Sequence, residues 1–219
     1  MPDLELKVES ARAVPHAAAP CLALALRIAN RPAGEEIASI ALQCQVRITP
    51  AARRYSEAEQ AGLAELFGEP ERWGRTVPPS LLWANAQVAV PAFQGECAVE
   101  LPLPCTYDFN VAGTKYFHAL EGGEVPLLLL FSGTVFFRTG NGALQISPVP
   151  WTKEAPFRLP VRVWKDMMEL YYPNSAVLRL RHDIFDRFQR FKVERGLSTF
   201  DQAMEALLAD RVSPGGGGE

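Results

Sequence analysis

The apolar residues of the first half of the chain recur with period two, and those of the last quarter recur with the helical period near 3.6. That change of period is the strongest constraint the sequence imposes. Leu4, Leu6 and Val8 alternate with charged neighbours, and Leu22 to Ile28 form a second alternating run. Ile37 to Ile48 form a long third run, with Ile40, Leu42, Cys44, Val46 and Ile48 on one face and Gln43, Gln45 and Arg47 on the other. Strict alternation describes a sheet with one buried and one wet face. Asn30-Arg31-Pro32-Ala33-Gly34 supplies turn chemistry between the second and third runs.

The middle of the chain adds punctuation. Ser56-x-x-Glu59 is a capping box that predicts a helix through Phe67, stopped at Gly68. Glu69 to Ser80 holds three prolines and reads as a loop anchored by Trp73. Ala86 to Val90 and Cys97 to Leu103 return to strand. Val125 to Phe137 is almost continuously apolar, as in a central strand covered on both faces. Arg138-Thr139-Gly140-Asn141-Gly142 predicts a hairpin turn, with Leu144 and Ile146 on the return strand. Pro148, Pro150, Pro156 and Pro160 exclude a central strand after that.

A helix is then expected from Pro160, carrying Val163, Met167 and Leu170 inward and ending at Pro173. A long helix from Asn174 or Ser175 to about Arg195 follows, with Val177, Ile184, Phe188 and Phe191 facing the core, ion pairs Asp183–Arg187 and Asp186–Arg190 outside, and Gly196 as its stop. Ser198-x-x-Asp201 caps a last helix, and four glycines form a flexible tail. The expected fold class is α+β: an antiparallel β-sandwich-like or curled sheet body with a short inserted helix and a C-terminal helical element. The expected organisation is one α+β domain over 1–212 (a β-rich body over 1–159, helices over 160–212) with a Gly-rich tail over 213–219.

Composition narrows the function classes. The chain has 219 residues, 48% of them apolar, and a formal net charge of −3. A chain of that length buries about 70% of its unfolded surface and needs neither disulfide nor metal to hold a core. The charge balance argues against a nucleic-acid protein and against a polybasic membrane binder. MPDLELKVES contains no apolar secretory segment, and 125–137 is shorter than the ~20 residues that span a bilayer. A cytoplasmic location is therefore expected, with no membrane contact.

Motifs that carry chemistry are scarce. There is no phosphate-binding glycine loop, no G-x-S-x-G elbow, no C-x-x-C, no H-E-x-x-H and no H-x-H. The four cysteines are scattered: Cys97 and Cys105 share a strand phase at an extended separation of ~26 Å, beyond disulfide reach without a turn at Pro102 or Pro104. Reduced thiols are expected, and no metal or cofactor. His16 and His182 read as surface residues. His118 follows Tyr116-Phe117 in a segment, Thr106 to Gly123, that reads as a loop with aromatic pegs. With Cys105 and Asp108 it defines the alternative reading, an enzyme or small-ligand pocket, because a Cys–His pair can join nucleophile and base. Glu35-Glu36 and Glu69-x-Glu71 lie on loops, unlike a glycosidase pair.

A different cluster fits either packing in the core or a protein partner. Trp164, Tyr171 and Tyr172 lie near an element boundary, with Arg179 and Arg181 just beyond, and Trp, Tyr and Arg are the residues that anchor interfaces. Two adjacent tyrosines at a helix end cannot both face one core, so one of them is expected to be accessible.

The run YYPNSAVLRLRHDIFDRFQRFKVERGLSTFDQAMEALL, Tyr171 to Leu208, resembles the end of an uncharacterised bacterial family, domain of unknown function six-zero-eight-four. The β-rich part, Leu4 to Ile48 and Val125 to Phe137, resembles it too. Members of that family are often encoded beside nickel–iron hydrogenase genes. The resemblance implies an accessory, assembly or regulatory role and supplies no catalytic motif. The function expected is thus a non-catalytic accessory or protein-interaction protein whose partner is a hydrogenase subunit or maturation factor.

Overall fold

In the computed structural model the alternating runs pair as antiparallel strands of two sheets. Residues 2–105, 111–175 and 180–212 are described, and they belong to two compact units, residues 1–175 and 176–219.

In the first unit, β1 (Asp3–Ala13), β2 (Cys21–Arg31) and β6 (Glu96–Pro104) form a three-stranded sheet in the order β1-β2-β6. The second sheet has the order β4-β3-β7-β8, built from β3 (Glu36–Ile48), β4 (Leu81–Val90), β7 (Glu124–Arg138) and β8 (Leu144–Pro148). The two-residue β5 (Phe93–Gln94) adds to β3, and β9 (Glu154–Pro160) adds to β7. β4 lies along β6 and β1 along β9, so the sheets stack as a sandwich-like body. The inward residues are those the period predicts: Leu22, Leu24, Leu26 and Ile28 face Ile40, Leu42, Cys44 and Val46 across a common core. β7 is the long central strand, and the proline-rich β9 is confined to an edge, where a missing N–H costs no ladder bond.

Gly133 explains how β7 approaches β3 so closely. Its φ is +135°, and a Cβ there would stand 2.0 Å from the Ala41 carbonyl oxygen. Only glycine fits that backbone contact.

Helix α1 (Glu57–Phe67) begins with the expected capping box: Ser56 Oγ accepts from the Glu59 N–H, and the Glu59 carboxylate accepts from the Ser56 N–H. The proline-rich segment beyond it contains a short helix, α2 (Trp73–Thr76), rather than only loop. A larger departure is α3 (Val111–Ala119), in the segment read as a loop. Tyr116 and Phe117 are fully buried there, because α3 packs on α1 on one side and on α4 (Val161–Tyr171) on the other, so adjacent positions both find apolar neighbours. The inward face of α4 is also rotated from the expected one. Val161, Trp164, Met167 and Met168 are buried, while Leu170 is exposed.

The second unit is a pair of helices, α5 (His182–Glu194) and α6 (Phe200–Val212). Gly196 lies just past the end of α5 with φ +64°. The cap of α6 is Thr199-x-x-Gln202, one residue later than expected: Thr199 Oγ accepts from the Gln202 N–H at 3.2 Å, and Gln202 Oε1 accepts from the N–H of Ser198 at 2.9 Å. Phe185 and Phe188 pack on Phe200 with centroids 5.6 and 5.4 Å apart. No described residue of α5 is fully buried, so Phe188 and Phe191 are half-buried rather than core residues. Among the described residues of this unit Arg181 pairs with Asp183, and His182 Nδ1 lies 3.1 Å from Asp186 Oδ2.

Candidate interaction surface

The residues singled out from the sequence fall in different places. Trp164 is 3% exposed and stacks on Phe117, with centroids 5.0 Å apart and planes 10° from parallel. Its surface is used inside the protein. Tyr171 and Tyr172 are both half-buried. The Tyr171 hydroxyl donates to the Val14 carbonyl at 2.6 Å and accepts from the Ala17 N–H at 2.8 Å, which ties the end of α4 to the β1–β2 turn. Arg181 is exposed at the start of α5. Arg179 and Asp108 lie outside the described residues.

Cys105 and His118 take different neighbours. The Cys105 N–H donates to the Pro20 carbonyl at 2.8 Å, and burial pushes the thiol up to about 12. His118 packs edge-on to Trp164 at 5.1 Å, and desolvation followed by the Lys165 ammonium lowers its pKa below the ordinary 6.5. All four cysteines are free thiols. Among the described residues no group of three His, Cys, Asp or Glu side chains is placed to hold a metal.

The densest polar cluster was not visible as such in the sequence. Arg53 and Glu59 form an ion pair at 2.5 Å with side chains only 10% and 5% exposed. Arg53 also donates to the carbonyls of Gly122 and Glu124, and Glu59 accepts from the Glu121 N–H. Beside them the Tyr55 and Tyr116 hydroxyls meet at 2.8 Å, and Tyr55 reaches the Pro50 carbonyl. Each charged group is answered by protein partners, so the cluster joins the β3–α1 connection to the α3–β7 connection.

An apolar part of the surface lies at the edge of the second sheet. β8 is an edge strand: among the described residues it pairs with β7 and with no other strand. Leu144 and Ile146 on it are 55% and 66% exposed. The turn that follows carries Trp151, 88% exposed. Residues 139–152 contain no charge at all. Of the devices that protect natural edge strands, β8 has a short length and Pro148 but no charged side chain. The sequence signal for it was present in the charge-free run, but the prolines flanking Trp151 gave it no periodicity.

Fold and surface together define an α+β protein with two antiparallel sheets and an uncovered apolar edge. The chain belongs to a family of unknown function, DUF6084, which matches residues 1–214. Comparison with curated proteins finds no match. Among solved structures, a Bordetella pertussis protein assigned as ApaA is similar over 72% of this chain and 93% of its own, at 15% identity and a TM-score of 0.23, a likeness too slight to carry an argument. No helix among the described residues is long and apolar enough to cross a membrane.

Proposed function

We propose that this protein is a non-catalytic accessory protein that binds another protein through the β8 edge and the Trp151 turn. The observation that carries the reading is Trp151, almost fully exposed beside an uncharged edge strand with Leu144 and Ile146 uncovered. An isolated exposed leucine means little, but an exposed tryptophan next to free backbone donors and acceptors has the make-up of an interface anchor. An extended segment of the partner would add to β8 as a strand, with main-chain hydrogen bonds for affinity and Trp151 covering the apolar contact. The finer part of the proposal, a cytoplasmic partner that is a subunit or maturation factor of a nickel–iron hydrogenase, rests on the resemblance of the C-terminal run alone.

The test is capture on the immobilised chain from an extract of the native host, with the retained proteins identified by mass spectrometry, followed by amide exchange on the purified complex. The reading expects a defined partner and slowed exchange within residues 144–153. A stable partner that leaves those amides as fast as in the free chain overturns it.

A further inference from the structure

The outer faces of the two sheets are built differently. On the β1-β2-β6 sheet the outward positions carry cross-strand ion pairs: Arg12–Glu100, Arg27–Glu9 and Arg31–Glu5. This is the ordinary way for a sheet face to meet water. On the other sheet the pair Glu36–Arg138 joins β3 to β7 at one end, but the middle of the outward face carries carboxamides. Gln43 stands opposite Gln87, and Gln45 opposite Asn85, across β3 and β4; Ser132 of β7 stands opposite Gln43 on the other side. Strand spacing sets these neighbours about 4.8 Å apart across the sheet and successive rows about 6.8 Å apart along it. Among the described residues none of the four carboxamides hydrogen-bonds to another protein group.

These exposed side chains line one open cleft, of about 480 Å³, bordered on its other side by Pro102, Pro104 and Cys21. Cys44 and Ala86, whose side chains are buried, contribute the floor between them. None of the lining residues is Asp, Glu, Lys, Arg or His. The volume lies within the range of small-molecule sites. A carboxamide offers two donors and an acceptor without charge. Four of them with a serine hydroxyl therefore match a ligand whose own groups both donate and accept and which carries no charge. Hydroxyl groups have that property. The proline rings supply apolar surface for the C–H faces of such a ligand.

We infer that the cleft between the carboxamide face of β3 and β4 and the Pro102–Pro104 end of β6 is a binding site for an uncharged, hydroxyl-rich small molecule of about disaccharide size. The site shares no residue with the β8–Trp151 surface, so either assignment can fail without the other.

The test is titration of the isotopically labelled full chain with trehalose, maltose and sucrose, reading the side-chain amide signals of Gln43, Gln45, Asn85 and Gln87. Glucose 6-phosphate and glucuronate serve as charged controls. At least one neutral sugar should give saturable shifts at these four groups. The Gln45→Ala/Asn85→Ala variant should weaken that binding at least tenfold, and Gln87→Glu should weaken it as well, both with an unchanged melting temperature. The charged sugars should not compete. Absence of saturable shifts with all three neutral sugars overturns the inference. Shifts that survive in both variants, or equal binding of the charged sugars, overturn it too. If one variant fails to fold, the other carries the comparison.

Discussion

Phe117 and Trp164 lie nearly parallel, 5.0 Å apart, one on α3 and the other on α4. Trp83 of β4 contacts the same Phe117 ring at 4.8 Å. The three rings join two helices to a sheet, and they remove from the surface a tryptophan whose sequence context resembles an interface anchor. Trp164→Ala should cost about 3–5 kcal/mol, the range for emptying a buried aromatic site. Urea unfolding followed by circular dichroism reads this directly. A loss under about 1 kcal/mol would mean that the stack is not part of the cooperative core.

The Arg53–Glu59 pair is buried, and its members have further hydrogen bonds. Removing one partner leaves the other charge unanswered. Arg53→Met should therefore destabilise by about 3–5 kcal/mol, and Arg53→Met/Glu59→Gln should recover part of that loss. A double variant as unstable as the sum of the two single variants would show that the groups act independently.

Gly133→Ala should be severe, about 3 kcal/mol or more, because the added methyl group would run into the Ala41 carbonyl and the backbone conformation disfavours any other residue. Gly140, with open space around its Cβ position, is the control: Gly140→Ala should shift the melting temperature little. Equal behaviour of the two variants would contradict the close approach of β7 to β3.

Burial pushes the Cys44 and Cys105 thiols up to about 12, from an ordinary value of 9.0. In Cys105 the neighbouring Cys21 adds to the effect. Unfolding releases these thiols to ionise at their ordinary value. Their contribution to stability is therefore full below about pH 9 and is lost as pH rises through the native values. Stability measured across that interval should fall, and Cys44→Ala/Cys105→Ala should fall less steeply. A wild-type chain whose stability is flat from pH 8 to pH 11 would contradict the assignment.

Much of the sheet architecture is legible in the sequence because period-two alternation is a direct record of which face is covered. Leu22 to Ile28 and Ile40 to Ile48 alternate without a break, and the Ser56-x-x-Glu59 box marks the start of α1 at the right residue. α3 was not legible. It is short, contains Gly113, and buries two adjacent aromatics, so it shows no amphipathic stripe; only the packing of α1 and α4 on both its sides makes it a helix. In α4 the periodicity was visible but its phase was not, since Val163 and Leu170 have the same spacing as Val161, Trp164 and Met168. The candidate surface was obscured for a different reason. Exposure of Trp151 depends on what fails to cover it, and neighbours in the sequence carry no information about that. The pairing of Arg53 with Glu59 spans a connection without regular structure, where spacing predicts no contact.

The proposed partner surface is the β8 edge with Trp151. The most direct measurement is the dissociation constant of the captured partner for the wild-type chain and for Ile146→Lys/Trp151→Ala. Both residues are exposed, so the variant should melt within a degree or two of wild type. An anchor residue at an interface is worth about 2 kcal/mol or more, which is roughly thirtyfold in affinity. The folded variant should lose at least that much affinity. Binding as tight as that of the wild-type chain would contradict it.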